Sequence, residues 1–268
     1  MNARSKLSLA QQQTGSILSI GLEPSAEYMP SRLPKTIAGY REFLQSIITA
    51  TSGIACAYKF NLAFFESLPG GWDLLFEIRE QLPQSALVIA DAKRGDIGTT
   101  AKKYAFSLYE LLNADSATVN PLMGSDSVLP FLEYTDKLTF VLCLTSNPGA
   151  ADFILPHQLY RPIAEHGSKW NTQNQVGLVV GATRPEMLGE IRTLAPTLPF
   201  LIPGVGAQGG DLQQTLELSG QSTALPNIIH VTRGILPSTE SDQDPIEEIR
   251  TKTHAYNQRI AQILNPTE

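Results

Sequence analysis

The sequence predicts a single (β/α)8 barrel domain over residues 1–268, and three observations carry that prediction. Eight short apolar runs alternate with amphipathic stretches, about thirty-three residues to the unit, as a barrel of ~250 residues requires. The runs are continuous and rich in Val, Ile and Leu, the composition of strands buried on both faces. Polar signatures fall at the carboxyl ends of the runs, where such barrels carry their sites. A doubly wound open sheet would alternate in the same way, but rarely in eight units of such even spacing.

The first strand runs from Ser16 to Leu22, is stopped by Pro24, and carries Glu23 at its carboxyl end. Ile37, Tyr40, Leu44, Ile47 and Ile48 then mark one face of a helix. The second strand spans about 53–60 and has one charge, Lys59; Trp72, Leu75, Phe76 and Leu82 mark the helix after it. The third strand is Ala86 to Ala90, followed by a charged turn and a helix with apolar positions Tyr104, Leu108, Leu111 and Leu112. Ser116 to Asn120 is the fourth strand, and Ser125-Asp126-Ser127 can cap a short helix to Leu132. Thr139 to Leu144 is the fifth. A longer connection of about 150–175 follows, with a helix near Leu159 to Glu165 and a polar surface loop from Gly167 to Gln175. Val176 to Val180, Phe200 to Pro203 and Ile228 to Val231 complete the strands, with helices at Pro185 to Leu194 and Asp211 to Leu218. Asp244 as N-cap, Pro245 at the first helical position and the stripe Ile246, Ile249, Tyr256, Ile260 and Ile263 define the last helix.

Composition narrows the function. The chain is 42% hydrophobic and 17% charged, with net charge −6, so no basic field is available to hold nucleic acid or an anionic membrane. Residues 1–14 lack the apolar core of a secretory signal, no run approaches a membrane span, and Cys56 and Cys143 sit in apolar runs as reduced core thiols. These features point to the cytoplasm.

The chemistry concentrates at Asp91-Ala92-Lys93-Arg94-Gly95-Asp96-Ile97-Gly98-Thr99-Thr100. Residues two apart in a strand point the same way, so Asp91 and Lys93 project together, while Asp96 lies where a carboxylate can cap the following helix. Each charge alone reads as an ion pair or a cap. Two acids and two bases within six residues, at the end of a buried strand, read as an active site. The other strand ends, Glu23, Lys59, Asn120, Ser146, Gly204 to Gln208 and Arg233, converge on the same face. Lysines and aspartates this close titrate together, and the carboxylates hold the lysines protonated.

Gly204 to Gly209 spells G-x-G-x-x-G. A dinucleotide site wants an acidic residue after the next strand, yet that strand ends in Thr232-Arg233. The glycine loop and Arg233-Gly234 instead suit one phosphate held between strands seven and eight. The four histidines show no metal-ligand spacing, His230 reads as a packed core residue, and no nucleophile elbow occurs.

Together with Lys59-Phe60-Asn61, Thr145-Ser146-Asn147-Pro148-Gly149-Ala150, Pro203 to Gly210 and Thr232-Arg233-Gly234, the charged segment resembles the orotidine 5′-phosphate decarboxylase family, in its longer bacterial subgroup. The resemblance covers essentially the whole chain. The D-x-K-x-x-D core is shared with hexulose-phosphate synthases, and the downstream segments favour the decarboxylase. It implies a barrel homodimer that converts orotidine 5′-phosphate to uridine 5′-phosphate and CO2 without metal or organic cofactor. By position, Lys93 is then the proton donor to C6 of the pyrimidine, Asp91 lies beside the leaving carboxylate, and Lys59 holds Asp91 and contacts the ribose. Asp96 and Ile97 are supplied across the dimer interface, and Thr100 lines the ribose pocket. Ser146 meets the pyrimidine edge; Gln208, Arg233 and the Gly234 backbone hold the phosphate, with Pro203 also among the substrate-binding residues. The family usually has aspartate where this chain has Glu23, and serine is common where Thr232 stands, so the ribose contact of Glu23 is altered by one methylene. Two other classes keep sequence support: a metal-dependent phosphosugar aldolase or synthase using Glu23 and Asp91, and a non-catalytic nucleotide-binding protein.

Overall fold

The computed structural model describes residues 1–206, 209–222, 224–240 and 244–265. Eight parallel strands close into a barrel in sequence order: β1 Leu18–Leu22, β2 Ala57–Asn61, β3 Leu87–Arg94, β4 Ser116–Val119, β5 Leu138–Leu144, β6 Val176–Val180, β7 Phe200–Ile202 and β8 Ile228–Val231. The helices are α1 Ala3–Thr14, α2 Ile37–Thr51, α3 Leu62–Glu66, α4 Gly71–Glu80, α5 Gly98–Phe106, α6 Ser125–Leu132, α7 Tyr160–Trp170, α8 Pro185–Leu194, α9 Leu212–Ser219 and α10 Pro245–Leu264. The (β/α)8 class expected from the periodicity is the observed one.

The apolar runs build two cores. Outward-facing strand residues such as Tyr58, Phe60 and Val141 pack against the helices, burying for example Phe43, Leu44 and Ile47 of α2. Inward-facing Leu87, Ile89, Phe140 and Ile228 fill the barrel and meet Ala3, Leu7 and Ala10 of α1. The N-terminal segment is therefore a helix that closes the barrel at the end away from the strand-end charges. Asn2 caps it by accepting from the Ser5 amide, Lys6 Nζ lies 2.7 Å from Asp115 Oδ2, and Arg4 donates to the carbonyls of Thr197 and Ala224.

Several local expectations change. Helix α7 continues to Trp170, so the stretch read as a loop from Gly167 is half helical; Gly167 packs into the core, where a Cβ would meet Leu178 and Leu198. In α4 the buried face is Leu74, Leu75 and Ile78, while Trp72 and Phe76 pair on the surface. Helix α5 passes into a π-turn, Ser107–Leu111, and the extra residue rotates Leu111 outward while Leu108 and Leu112 stay buried. Gly124, not the Ser125-Asp126-Ser127 group, is the N-cap of α6. Asp96 is not a helix cap: Ile97 holds that position, and Asp96 Oδ1 accepts from the adjoining Ile97 amide.

Both cysteines are free and buried. Burial pushes the Cys56 thiol up to about 12 and raises Cys143 likewise, so both stay protonated.

Candidate active site

The carboxyl ends of the strands enclose a cavity of about 590 Å³. Its floor is apolar, from Leu142, Val179 and Leu201, and its charged wall comes from β2 and β3. Asp91 is 8% exposed and Lys59 4%, so both charges lie out of water. Lys59 Nζ is 2.6 Å from Asp91 Oδ2, and Lys93 Nζ is 2.6 Å from Asp91 Oδ1. Burial alone would raise the Asp91 carboxyl; the ammonium groups of Lys59 and Lys93 outweigh it and hold Asp91 well below the usual carboxylate range. The Lys93 side chain is 49% exposed, so its ammonium is tethered by Asp91 yet open to the cavity.

Strand alternation placed Asp91 and Lys93 side by side, but the backbone achieves this differently. Pairing with β4 shifts between Ala90↔Ala117 and Arg94↔Val119, and inside that irregularity Lys93 adopts φ 48°. A left-handed non-glycine residue is strained by ~1–3 kcal/mol and persists only where its surroundings hold it. Here Thr118 holds it: the Lys93 amide donates to Thr118 Oγ1 at 2.9 Å, and that hydroxyl donates to Asp91 Oδ1 at 2.9 Å. Thr118 went unnoticed in the sequence; its one signal was a polar residue, in step with Ser116, on a strand buried on both faces.

Glu23, Ser146, Pro203, Arg233 and Gly234 all line the cavity with Lys59, Asp91 and Lys93. Arg233 opens a short 3-10 turn, Arg233–Ile235. The adjoining Gly234 lies under the Tyr256 ring of α10, so a Cβ there would displace the tyrosine hydroxyl. Opposite, Gly204 and Val205 face the cavity, and the Gly210 amide donates to the Gly204 carbonyl. The next helix is capped by Asp211, whose carboxylate accepts from the Gln214 amide. A carboxylate there opposes the pyrophosphate seat of a dinucleotide fold. Gln208 lies outside the described residues.

Other expected residues lie elsewhere. Asn120 is turned into its own loop, accepting from the Leu122 amide, and Arg94 pairs with Glu66 and stacks on Tyr104. Asp96 is half-buried, and Ile97 and Thr100 are exposed; none of the three lines the cavity of its own chain. His230, read as a packed core residue, is buried but lines the cavity, between Ser19 and Thr232. Burial, then Lys59, holds its imidazole well below the ordinary histidine value, so it is neutral. Among the described residues, no three His, Cys, Asp or Glu side chains come together to hold a metal.

Residues 16–250 match the model of the orotidine 5′-phosphate decarboxylase / HUMPS family. An orotidine 5′-phosphate decarboxylase of Dehalococcoides mccartyi is 42% identical over 95% of this chain and 98% of the relative. One of Herpetosiphon aurantiacus is 44% identical over 86% and 88%. Among solved structures, the OMP decarboxylase of Leishmania donovani superposes with a TM-score of 0.84 at 37% identity, covering 98% of each chain.

Proposed function

The chain belongs to the orotidine 5′-phosphate decarboxylase / HUMPS family, and from that premise we propose how its cavity works. The reaction is the decarboxylation of orotidine 5′-phosphate to uridine 5′-phosphate and CO2, the last step of UMP biosynthesis. The observation that carries this reading is the array Lys59–Asp91–Lys93, with the cavity-facing Lys93 ammonium held 2.6 Å from a buried carboxylate.

Loss of CO2 leaves an electron pair on C6 of the pyrimidine. A fixed ammonium favours that charge most in the transition state and then quenches it by giving up a proton, so Lys93 serves in both roles. Asp91, kept ionised by its two partners, is placed beside the departing carboxylate, and Lys59 fixes Asp91 and reaches the ribose. Ser146 and Pro203 contribute to the base and substrate walls. Glu23 faces the ribose. Arg233, the Gly234 amide and Gln208 hold the phosphate, far from the bond that breaks; closing on that anion excludes water and orients the ring. Arg233→Ala should lower kcat/KM for orotidine 5′-phosphate by about 10- to 100-fold, as loss of a charge-assisted phosphate contact does. Unchanged kcat/KM would remove Arg233 from the site.

Asp96, Ile97 and Thr100 suit a shared site in a homodimer. They stand off their own cavity at the start of α5, and α5 packs on α6, which is preceded by Leu122 and Met123, 70% and 58% exposed. Apolar side chains that open are characteristic of an interface. Dimers of Asp96→Ala mixed with dimers of Lys93→Ala should then regain partial activity through hybrid sites, and absence of recovery after verified subunit exchange would count against sharing. No helix among the described residues is long and apolar enough to cross a membrane, and the two buried thiols suit a reducing compartment, for which the cytoplasm is the proposed location.

The direct test is the fall in ultraviolet absorbance on adding orotidine 5′-phosphate in the presence of EDTA. Turnover is expected. No turnover of orotidine 5′-phosphate together with EDTA-sensitive activity on a phosphosugar would favour the metal-dependent synthase, and uridine 5′-phosphate binding without turnover would favour a non-catalytic nucleotide binder.

A further inference from the structure

We infer that His230 and Thr232 are positioning residues: a one-way hydrogen-bond chain from Ser19 through His230 and Thr232 aims the Glu23 carboxylate at a hydroxyl of the substrate's sugar. The inference rests on the nucleotide reading above. It adds two residues which that reading leaves idle.

The chain is continuous in the structure. Thr232 Oγ1 lies 3.4 Å from Glu23 Oε1 and 3.1 Å from His230 Nε2, and His230 Nδ1 lies 3.3 Å from Ser19 Oγ. Its direction follows from the acidic end. A carboxylate oxygen accepts, so Thr232 must spend its one proton on Glu23. Thr232 can then only accept from His230, which makes Nε2 the protonated nitrogen. A neutral imidazole has one donor and one acceptor, so with Nε2 donating to Thr232 the Nδ1 nitrogen accepts from the Ser19 hydroxyl rather than donating to the Ser19 backbone. The neutral state this demands is the one that burial beside Lys59 enforces. Each group therefore makes the bond that its chemistry permits.

Packing shows that the Thr232 hydroxyl is seated deliberately over β1. A Cβ at Gly21 would collide with Thr232 Oγ1 and crowd the threonine Cβ, so only glycine allows the hydroxyl to approach there. Ser19 is fully buried and His230 nearly so at the cavity wall, whereas Glu23 and Thr232 are more open to the cavity. The chain thus ties a group at the cavity rim to a rigid barrel interior. A glutamate has one more rotatable bond than an aspartate, and without a tether each binding event would have to freeze it. The effect belongs to substrate binding rather than to the bond that breaks, so it should appear in KM.

The test is a double-mutant cycle on the full-length enzyme, with orotidine 5′-phosphate as substrate and circular dichroism and Tm as checks of folding. Thr232→Val keeps the shape and removes the hydroxyl; KM should rise about tenfold with kcat within threefold, and Thr232→Ser should behave as the parent. In a Glu23→Ala background, Thr232→Val should add less than twofold, because its target is gone. His230→Gln, whose amide can still donate toward Thr232, should keep KM within twofold, while His230→Asn, which cannot reach, should resemble Thr232→Val. Equal, independent losses from Thr232→Val in both backgrounds, or His230→Gln and His230→Asn behaving alike, would overturn the chain. A parent enzyme that fails to turn over orotidine 5′-phosphate would instead overturn the nucleotide reading.

Discussion

Replacing Lys93 with alanine should abolish turnover while the barrel stays folded and still binds uridine 5′-phosphate. The side chain is half-exposed, so its removal opens no cavity in either core, and Asp91 keeps the Lys59 ammonium at 2.6 Å. What disappears is the charge facing C6 and the proton that quenches the carbanion. General acid catalysis is worth roughly 10²–10⁴ and a preorganised electrostatic contact roughly 10²–10³. A loss of about 10⁴- to 10⁷-fold in kcat is therefore expected, with non-additivity between the two roles setting the width of that range. Single-turnover absorbance decay measures kcat, and titration with uridine 5′-phosphate measures retained binding. Turnover within tenfold of the parent would remove Lys93 from the chemistry.

Asp91→Asn should injure activity and stability together. Lys59 is 4% exposed, and its partner in the structure is Asp91, so the substitution leaves a buried ammonium facing a neutral amide. Breaking a buried pair from one side costs about 3–5 kcal/mol, whereas replacing both members with apolar residues is often neutral. Asp91→Asn should therefore lower the urea midpoint strongly, and Lys59→Met combined with Asp91→Leu should recover much of it without recovering activity. The pH dependence has a definite sign. Burial opposes ionisation of Asp91, but Lys59 and Lys93 outweigh it and depress the carboxyl in the folded protein. Its contribution is therefore complete above the unfolded value of about 4 and is lost as pH falls through the lower folded value. Asp91→Asn should flatten the acid limb of the stability curve. An unchanged limb would mean that the Lys59–Asp91 pair contributes nothing to acid stability.

Much of this arrangement was legible along the chain because its causes are local. Apolar runs of Val, Ile and Leu separated by amphipathic stretches determine strand and helix wherever they occur, and polar residues at run ends mark the face on which side chains gather. Lys59, Asp91, Lys93 and Arg233 were readable in this way. The elements misplaced or left unread had non-local or short-range causes that periodicity does not carry: the π-turn that rotates Leu111, the core packing that keeps Gly167 helical, and, for the unread α1, its docking against the barrel interior.

The alternation of hydrophobic and polar residues by itself determined the eight strand–helix units and the end where charge collects, since each depends on residues close in sequence, whereas strand order and closure belong to the folded barrel. Only the tertiary structure decided which side chains touch. Thr118 reaches Asp91 across 27 residues and Thr232 reaches Glu23 across 209, distances set by closure of the barrel. The left-handed Lys93 also belongs to that level, because a strained backbone is tolerated only where remote groups have already been brought into place to hold it.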